Sequence, residues 1–297
     1  MGHGTFLAID IGGTYIKSAF FDIRQKMYGH TRVKTGDNID VKIVDQVKHI
    51  IEQAKETENI DGVGISTAGI VDRYKGEIIY AGPTIPHYSK TALKAELSQS
   101  SSLPVTIEND VNAALLGEVW KGAGRGMNRL YCITLGTGIG GAYFDNGIVD
   151  GHHLQAHSVG YLLYDEQTKT NYEMRASTSA LNNKVKAQYG SDMSTADIFT
   201  RAKNGDSGCM TLIEEWATEI AKGLAQIILV NDPACIIIGG GVSAQGHFLL
   251  RHVQNKVDMF LPQDFLKTDI KMAQLTNHAA LYGAVYPFFK GRKQHVR

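Results

Sequence analysis

A chain of 297 residues is long for a single hydrophobic core, so its length favours two lobes. Apolar residues make up 43% of it and charged residues 20%, proportions typical of an ordinary soluble globular protein. Lys plus Arg and Asp plus Glu both total 30, so no basic excess predicts binding to nucleic acid. No apolar stretch approaches the roughly 20 residues that a membrane-spanning helix needs.

The first part of the sequence predicts a meander of strands, followed by alternating helices and strands. Short apolar runs that end in glycines or polar residues indicate strands. Apolar residues at three- to four-residue spacing, such as Ile43, Val47 and Ile51, indicate a helix. On these grounds we predict strands at 6–10, 15–21, 26–33, 63–66 and 105–108, and helices at 40–57, 90–98 and 111–120.

The pattern of the opening residues returns in the second half of the chain. FLAIDIGGTYIKSAFFD begins at Phe6 and LYCITLGTGIGGAYFDN begins at Leu130, and both predict a strand, a glycine-rich turn and a second strand. We interpret this as a degenerate internal repeat, which predicts two related lobes that each open with a glycine-turn hairpin. The predicted elements of the second half are strands at 130–135, 142–144 and 234–238, a long helix around 213–227 and a closing helix at 279–290. We assign residues 1–119, joined by a C-terminal helix at 280–297, to the first lobe and residues 120–279 to the second.

The three cysteines, Cys132, Cys209 and Cys235, stand singly in apolar or mixed surroundings. An odd and scattered count argues against a disulfide framework and predicts reduced thiols in a cytoplasmic protein. The first residues also lack the basic, then apolar, then cleavable pattern of a signal peptide.

Asp10-Ile11-Gly12-Gly13-Thr14 is the first motif that suggests chemistry. Glycine tolerates positive φ and lets backbone N–H groups crowd around an anion, so such a turn can hold phosphate. The acid just ahead of it, Asp10, could hold Mg²⁺ through water, because Mg²⁺ keeps much of its hydration shell. Taken alone, the same residues are also common in a tight β-hairpin turn.

Two further glycine clusters follow apolar strands. Residues 136–141, GTGIGG, contain the GxGxxG spacing, but the residues after them predict a strand where a dinucleotide-binding fingerprint requires a helix. A phosphate-holding hairpin therefore fits better than a Rossmann oxidoreductase that binds NAD(P)H. The cluster at 239–241 ends another strand, where bare backbone could lie against adenine or ribose, or could simply form a strand-to-helix turn. Three such clusters, two of them in repeated lobes, are poorly explained as independent accidents.

The stretch PVTIENDVNAALLGE, residues 104–118, ends a predicted strand on two acids and an amide. Asn and Asp are favoured helix N-caps, because their side chains accept hydrogen bonds from the free N–H groups of the first turn. Strand ends in open α/β sheets also face the ligand crevice, where a carboxylate can accept a substrate proton. The two roles can coexist, and this stretch alone does not decide between cap and catalyst.

Five segments together resemble the ROK family of sugar kinases and related repressors, within the actin, Hsp70 and sugar-kinase superfamily. They are DIGGT at 10–14, GVGISTAGIVD at 62–72, ENDVNAALLGE at 108–118, LGTGIGG at 135–141 and IIIGGGVS at 236–243. The resemblance implies an α/β fold with two ribonuclease-H-like (actin-type ATPase) lobes around an interlobe cleft. It also implies that ATP and Mg²⁺ are cofactors, that a sugar binds beneath the γ-phosphate, and that the protein is a homodimer.

The resemblance also implies roles for individual residues. Asp110 matches the general base, and the expected sugar ligands are Asn109, Ser66, Ser158, Tyr161 and Glu173. The expected ATP and phosphate ligands are Asp10, Gly12, Gly13, Thr14, Lys17, Gly136, Thr137, Gly138 and Gly140, with Gly239, Gly240 and Gly241 beside the adenosine. Family repressors carry a DNA-binding segment ahead of the first glycine motif. That motif begins at Asp10 here, so we prefer the enzyme, and keep a non-catalytic sugar-sensing protein as the alternative of another class.

One segment departs from the family pattern. Family glucose and hexosamine kinases carry Gly-Glu-x-Gly-His after the second glycine loop, and that His also ligates a structural zinc with a cysteine cluster. Here Ser158 replaces the Glu and Tyr161 replaces the His, and residues 162–175 contain no cysteine. Structural zinc needs about four Cys or His ligands. We therefore predict no structural zinc, and we interpret His152, His153 and His157 as loop histidines.

The same departure bears on the substrate. A later family acid, which contacts the anomeric side of the sugar, matches Glu173, although a solvated acid in a charged loop is the simpler alternative. Losing the Glu and the His removes partners of a free anomeric hydroxyl and leaves space and a stacking surface beyond C1. With the ending GAVY at 283–286, this resembles the zinc-less β-glucoside kinase branch, which phosphorylates O6 of the non-reducing glucose in cellobiose-like disaccharides. Glucose and N-acetylhexosamines such as N-acetylmannosamine remain alternative substrates.

Overall fold

The computed structural model describes residues 4–82, 85–265 and 267–290 and has the mixed α/β architecture that the sequence predicts. In chain order the strands are β1 (Thr5–Ile11), β2 (Tyr15–Phe21), β3 (Met27–Lys34), β4 (Ile60–Thr67), β5 (Ile70–Asp72), β6 (Glu77–Tyr80), β7 (Val105–Asn109), β8 (Arg129–Leu135), β9 (Ile139–Asp145), β10 (Cys235–Gly239) and β11 (Asp269–Met272). The helices are α1 (Ile43–Thr57), α2 (Leu93–Ser101), α3 (Asp110–Lys121), α4 (Tyr172–Ala176), α5 (Thr178–Tyr189), α6 (Thr195–Lys203), α7 (Ser207–Asn231), α8 (Gly246–Val257) and α9 (Ala279–Phe289).

The described residues form two compact units. Unit 1 runs to Gly122 and also takes in Gly151–Gln155 and the segment from His278. Unit 2 comprises Ala123–Asp150 and Ala156–Asn277. Helix α9 therefore belongs to unit 1, although it closes the described chain.

Unit 1 is built on a five-stranded sheet in the order β3-β2-β1-β4-β7. Strand β1 pairs antiparallel with β2 and parallel with β4, which pairs parallel with β7. Strand β1 is an unbroken buried run because both of its faces meet a core. Leu7 and Ile9 face the cluster that includes α1 and α2, whereas Phe6 and Ala8 face α9.

Helices α3 and α9 cross closely in unit 1, and glycines make this possible. A Cβ atom on Gly283 would overlap the carbonyl group of Ala113, and one on Gly117 would overlap that of Ala279. The close crossing fixes α3, whose first residue is Asp110.

Unit 2 repeats much of this plan. Its four-stranded sheet has the order β11-β10-β8-β9, in which β8 pairs antiparallel with β9 and parallel with β10. The long helix α7 supplies much of the core, including the fully buried Trp216. The two glycine-turn hairpins predicted from the sequence repeat, β1–β2 and β8–β9, are confirmed. The sheet of unit 2 has no counterpart of β3 among the described strands.

Some elements differ from the sequence prediction. Strand β9 begins at Ile139, so Gly140 and Gly141 are strand residues and the turn before them is shorter than expected. Helix α2 lies at Leu93–Ser101 instead of 90–98. The sequence missed β5, β6, β11, α4, α5, α6 and α8, several of which are too short to show a periodic pattern. Residues 291–297 of the predicted closing segment lie outside the described residues.

Two further findings concern the whole described chain. The three cysteines are buried and free of disulfide bonds. Among the described residues, no helix combines the length and the apolar character needed to cross a membrane.

Candidate active site

A row of polar side chains crosses the sheet of unit 1 at the carboxyl end of β1. Lys17, Asp10, Ser66 and Glu108 share one register on β2, β1, β4 and β7, so they lie on the same face. Asp10 Oδ2 accepts a hydrogen bond from Lys17 Nζ at 3.1 Å, and Oδ1 accepts one from Ser66 Oγ at 2.9 Å. A cation and a hydroxyl thus compensate a carboxylate that is nearly buried.

Mg²⁺ binding by Asp10 through water stays a prediction. An ionised carboxylate has about four acceptor positions, and the described contacts use one on each oxygen of Asp10. Within the described ranges, no group of three or more His, Cys, Asp or Glu side chains is arranged to hold a metal ion. Mg²⁺ bound at Asp10 would keep several waters among its ligands, as Mg²⁺ commonly does.

Ser66, a predicted sugar ligand, supports Asp10 in the structure. Its side chain is fully buried, and its hydroxyl donates to Asp10. It therefore holds the Asp10 carboxylate, and sugar binding by Ser66 stays a prediction.

The β1–β2 turn exposes two backbone N–H groups. The Gly12 N–H donates to the Tyr15 carbonyl at 3.1 Å, so it shapes the turn and is not free for an anion. Thr35 fixes the turn from β3's end: its hydroxyl donates to the Gly12 carbonyl at 2.7 Å, and its N–H to the Thr14 carbonyl at 3.0 Å. The N–H groups of Gly13 and Thr14 donate to no described residue. These two are the donors that an anion could use.

Asn109 is the N-cap of α3, which confirms the capping interpretation of this stretch. Its Oδ1 accepts from the N–H groups of Val111 at 3.0 Å and Asn112 at 3.1 Å. Its Nδ2 donates to the Gly69 carbonyl and to Asp110 Oδ1, both at 2.8 Å. An amide has two donor and two acceptor positions, so protein groups occupy all four. Sugar binding by Asn109 stays a prediction, and it would require one of these bonds to be replaced.

Asp110 begins α3 with one oxygen engaged and one available. Its Oδ1 accepts from the Val111 N–H at 2.9 Å as well as from Asn109. No described residue donates to Oδ2. Burial, and then the negative charge of Asp10, raise the pKa of Asp110 to about 6, although its hydrogen bonds act in the opposite direction. A carboxylate with a pKa near neutrality is suited to general-base catalysis.

Glu108 is a residue whose role the sequence did not reveal. Its Oε2 pairs with Arg73 Nη1 at 2.7 Å, and its Oε1 accepts from Asn112 Nδ2 at 3.0 Å and the Asn109 N–H at 2.9 Å. This buried acid therefore joins the segment after β5 to the first turn of α3. The register it shares with Asp10 would have identified it, had the strand alignment been known.

Unit 2 has an equivalent turn between β8 and β9. The Gly136 N–H donates to the Gly138 carbonyl at 2.9 Å. Thr178, the first residue of α5, donates from its N–H to the Gly136 carbonyl and from Oγ1 to the Leu135 carbonyl, both at 3.0 Å. The N–H groups of Thr137 and Gly138 donate to no described residue. They are therefore the available anion donors, while Gly136 shapes the turn and Gly140 lies in β9.

The third glycine cluster lies against this turn. Gly240 has a φ of +87°, and a Cβ atom there would overlap the Leu135 carbonyl. Both observations require glycine at this position. Gly239 ends β10, whereas Gly241 is exposed and a Cβ atom on it would meet no described atom within 4 Å.

Glu173, in α4, lies beside the same turn. Its Oε2 accepts from the Ile139 N–H at 2.7 Å, and no described residue donates to its Oε1. A Cβ atom on Gly138 would overlap this carboxylate, and one on Gly160 would lie 3.1 Å from it. Glu173 is thus held in place, not freely solvated, and it presents one free oxygen. Ser158 and Tyr161, which flank Gly160, are both exposed.

The three clustered histidines have different surroundings. His152 and His153 are exposed, with ring centroids 4.6 Å apart, as expected of loop histidines. His157 differs, because its ring packs edge-on against Tyr131 at 5.4 Å. Burial lowers the pKa of His157, so the neutral imidazole is favoured.

Comparisons with known proteins cover nearly the whole chain. The sequence profile described as the ROK family matches residues 6–290. A β-glucoside kinase of Listeria monocytogenes is 30% identical over 97% of this chain and 98% of its own. A solved ROK family glucokinase from Streptomyces griseus, in complex with glucose and AMPPNP, has a TM-score of 0.85 and 29% identity, covering 97% of this chain and 100% of that one. A ROK family protein from Streptococcus pneumoniae in complex with sucrose has a TM-score of 0.84 and 29% identity, covering 98% and 99%.

Proposed function

Because the chain belongs to the ROK family and is a sugar kinase, we propose that it transfers the γ-phosphoryl group of ATP to the 6-hydroxyl of a glucosyl unit, and that its acceptor is a β-glucoside disaccharide such as cellobiose. The observation that carries the reaction type is Asp110. Its carboxylate has one free oxygen and a pKa raised to about 6.

In the proposed reaction, Asp110 accepts the proton of the 6-hydroxyl as that oxygen attacks the γ-phosphorus. The bond between the γ-phosphorus and the bridging oxygen breaks, and the bridging electron pair leaves with ADP. Asn109 fixes the Asp110 carboxylate through the bond to Oδ1, so the free Oδ2 is the acceptor. Phosphoryl transfer depends chiefly on positioning and charge stabilisation, and both need a fixed base.

The remaining groups stabilise negative charge on the phosphates. Within unit 1 the free N–H groups of Gly13 and Thr14, and within unit 2 those of Thr137 and Gly138, are donors that phosphate can use without breaking a bond of their own turn. Lys17 adds a positive charge beside Asp10. Mg²⁺, held by Asp10 through water, would neutralise charge on the phosphate oxygens. We assign the residues at 239–241 to the adenosine.

The preference for a β-glucoside comes from the loop that follows Gly160. Tyr161 is 69% exposed and Tyr164 is 62% exposed, so both rings offer apolar faces to a sugar joined at C1. Neither ring replaces the anionic partner that the change to Ser158 removes. One of the compared relatives supports this choice, since it is named a β-glucoside kinase. Another was solved with sucrose, a disaccharide whose glucose is α-linked, and supports only the binding of a second sugar ring.

Arg175 holds this loop in one conformation. Its Nη2 donates to the Leu163 carbonyl at 2.6 Å and its Nη1 to the Thr170 carbonyl at 2.9 Å. Its Nε pairs with Glu219 of α7 at 3.0 Å. The exposed tyrosines therefore project from a fixed backbone, which reduces the entropy lost when a ligand binds.

Glucose is the second candidate acceptor, and Glu173 favours it. The free Oε1 of Glu173 can accept a hydrogen bond from an anomeric hydroxyl, which glucose has and a β-glucoside lacks. The Streptomyces griseus relative is a glucokinase.

The proposal is tested by measuring ADP release at fixed Mg-ATP with cellobiose, gentiobiose, glucose and N-acetylmannosamine. We expect the highest kcat/KM with the disaccharides. Asp110→Asn should lower kcat by about 100- to 10,000-fold, because general-base catalysis contributes on that order. Asp40→Asn, an equal change at an exposed acid of unit 1, is the control. Near-wild-type kcat in Asp110→Asn would reject the base assignment, and ATP turnover with none of the sugars would favour the non-catalytic sensor.

A further inference from the structure

We infer that Glu173 and Thr178 couple sugar binding to the phosphate turn of unit 2, residues 136–138, so that bound sugar tightens the binding of nucleotide. This rests on the proposed function, with phosphate at the turn and a sugar hydroxyl at Glu173: the anomeric hydroxyl of glucose, or that of the reducing unit of a disaccharide such as cellobiose. Glu173 is then a sugar ligand, and Thr178 is a positioning residue that touches neither substrate.

The segment from α4 to the start of α5, residues 172–179, contacts the turn on both sides. Ahead of the turn, Thr178 Oγ1 donates to the Leu135 carbonyl at 3.0 Å. At its first residue, the Thr178 N–H donates to the Gly136 carbonyl at 3.0 Å. Just beyond it, Glu173 Oε2 accepts from the Ile139 N–H at 2.7 Å. The backbone on either side of the two free N–H groups is thus fixed by one segment.

Hydrogen bonds within the segment and to buried residues of unit 2 fix the position of residues 172–179 relative to one another. Ser177 is both the C-cap of α4 and the N-cap of α5. As the N-cap, its hydroxyl accepts a hydrogen bond from the Ala180 N–H at 3.1 Å. The buried Trp216 donates from Nε1 to the Ala176 carbonyl at 3.0 Å. The Tyr172 hydroxyl donates to a carbonyl group of α7 at 2.9 Å. A constraint on Glu173 is therefore transmitted to Thr178.

Glu173 is the point at which a sugar would act on the segment. One of its oxygens holds the backbone after the turn, and the other is free among the described residues. A sugar hydroxyl that donates to Oε1 would restrict the carboxylate to the orientation in which Oε2 keeps the Ile139 N–H. The N–H groups of Thr137 and Gly138 would then be held ready for phosphate. By linkage, the nucleotide must tighten sugar binding by the same factor.

The test measures AMPPNP affinity by isothermal titration calorimetry, with and without the sugar that gives the highest kcat/KM in the panel. In the wild type we expect the saturating sugar to tighten AMPPNP binding by about fivefold or more, the lower end of typical coupling. Thr178→Val should reduce this factor to near one while leaving the affinity for the sugar alone unchanged. Thr178→Ser keeps the hydroxyl and should restore the coupling.

Two further variants complete the design. Glu173→Gln should weaken sugar binding and also remove the coupling at saturating sugar. Thr200→Val is the control, because Thr200 is exposed on α6 and its hydroxyl donates only within its own helix. Retention of the wild-type factor in Thr178→Val or in Glu173→Gln would overturn the inference.

The wild type separates this inference from the proposed function. If it binds both ligands with a coupling factor of one, the inference fails and the proposed function stands. If it binds neither a sugar of the panel nor AMPPNP, the proposed function fails and the inference fails with it.

Discussion

The two glycine turns of this protein share one repeated sequence pattern but differ in strand pairing, in neighbouring charge and in the residues that hold them. The last cross-strand pair before the turn is Ile11 and Ile16 in unit 1 and Leu135 and Ile139 in unit 2, so the pairing in unit 2 closes on one residue fewer. Both turns leave two N–H groups free at their tips. What differs is the charge beside them and the element that holds them.

Charge is concentrated at the first turn. The cross-strand pair next to it is Asp10 and Lys17, whereas the corresponding pair in unit 2 is Thr134 and Gly140. The support differs as well, since Thr35 after β3 holds the first turn and Thr178 of α5 holds the second. Among the described strands, unit 2 has no counterpart of β3, and the first residue of α5 holds the turn instead. The repeat therefore fixes the hairpin, while the residues of the charged pair differ between its two copies and the support comes from residues outside it.

Among the variants that test this difference between the two turns, Asp10→Asn should cause the largest loss of kcat/KM. Removing the charge leaves Lys17 without its anionic partner and weakens any Mg²⁺ held through water. We expect kcat/KM to fall by about 100- to 1,000-fold, comparable with losing an electrostatic group that stabilises a transition state. Steady-state ADP release over a range of Mg²⁺ concentrations would show it. Thr134→Val, at the corresponding place in unit 2, should stay within about twofold of the wild type; equal losses in both variants would show that the two turns are equivalent.

An added methyl group should lower kcat/KM more in the second turn, at Gly138, than in the first, at Gly12. In Gly138→Ala the added methyl group would overlap the Glu173 carboxylate and push it from the Ile139 N–H. Misplacement of this kind costs up to about 100-fold, so we expect kcat/KM to fall by about 10- to 100-fold. In the first turn, Gly12→Ala would place its Cβ atom 3.2 Å from the Tyr15 carbonyl, a small clash that should cost less.

Gly147→Ala is the matched control for the glycine variants, because a Cβ atom there would meet no described atom within 4 Å. Its kcat/KM should equal that of the wild type. A larger loss in Gly12→Ala than in Gly138→Ala would mean that Glu173 does not constrain the second turn.

The pH dependence should report the acids of unit 1. Asp110 must be deprotonated to act as a base, and its pKa is raised to about 6 by burial and then by Asp10. We therefore expect kcat/KM to fall about tenfold per pH unit below pH 6. Asp10→Asn removes a neighbouring negative charge, so its residual activity should keep the same form with the acid limb at lower pH. An acid limb that does not move would show that Asp10 does not influence Asp110.

The same pKa has an opposite consequence for stability. Because the folded state raises the pKa of Asp110, folding favours its protonated form. This contribution is complete at pH values below the ordinary pKa and is lost as the pH rises through about 6. Asp110→Asn should therefore raise the melting temperature relative to the wild type at pH 8, and less so at pH 5. Equal differences at the two pH values would contradict the raised pKa.

The sequence predicted the hairpins and the glycine turns because their signals are local. An apolar run, two or three glycines and a second apolar run lie within a single short segment, as in Phe6–Phe21. Another local signal, polar residues at the end of an apolar run, marked the acids at the end of β7, and the structure confirms that Asn109 caps α3. The resemblance then supplied the roles that local patterns could not.

The supports of the site could not be predicted, because each joins residues that are distant in sequence. Thr35 holds Gly12 across β2 and β3, and Thr178 holds Leu135 from a helix that the sequence did not indicate. The burial of Ser66 likewise depends on its neighbours in the sheet. The register between strands depends on two separate segments, so, unlike a glycine turn, it cannot be predicted from one segment alone.

Thr35→Val should have the smallest effect, and it tests the contrast most directly. The variant loses the hydroxyl bond to the Gly12 carbonyl but keeps its backbone bond to the Thr14 carbonyl. We expect a loss of about 1 kcal/mol of stability, and a fall in kcat/KM of about two- to threefold. The coupling between sugar and AMPPNP should be unchanged, because Thr35 contacts the turn of unit 1 and Glu173 contacts that of unit 2. If Thr35→Val abolished this coupling as fully as Thr178→Val, the sugar would act on both turns alike. The proposal that the sugar acts only on the turn of unit 2 would then be wrong.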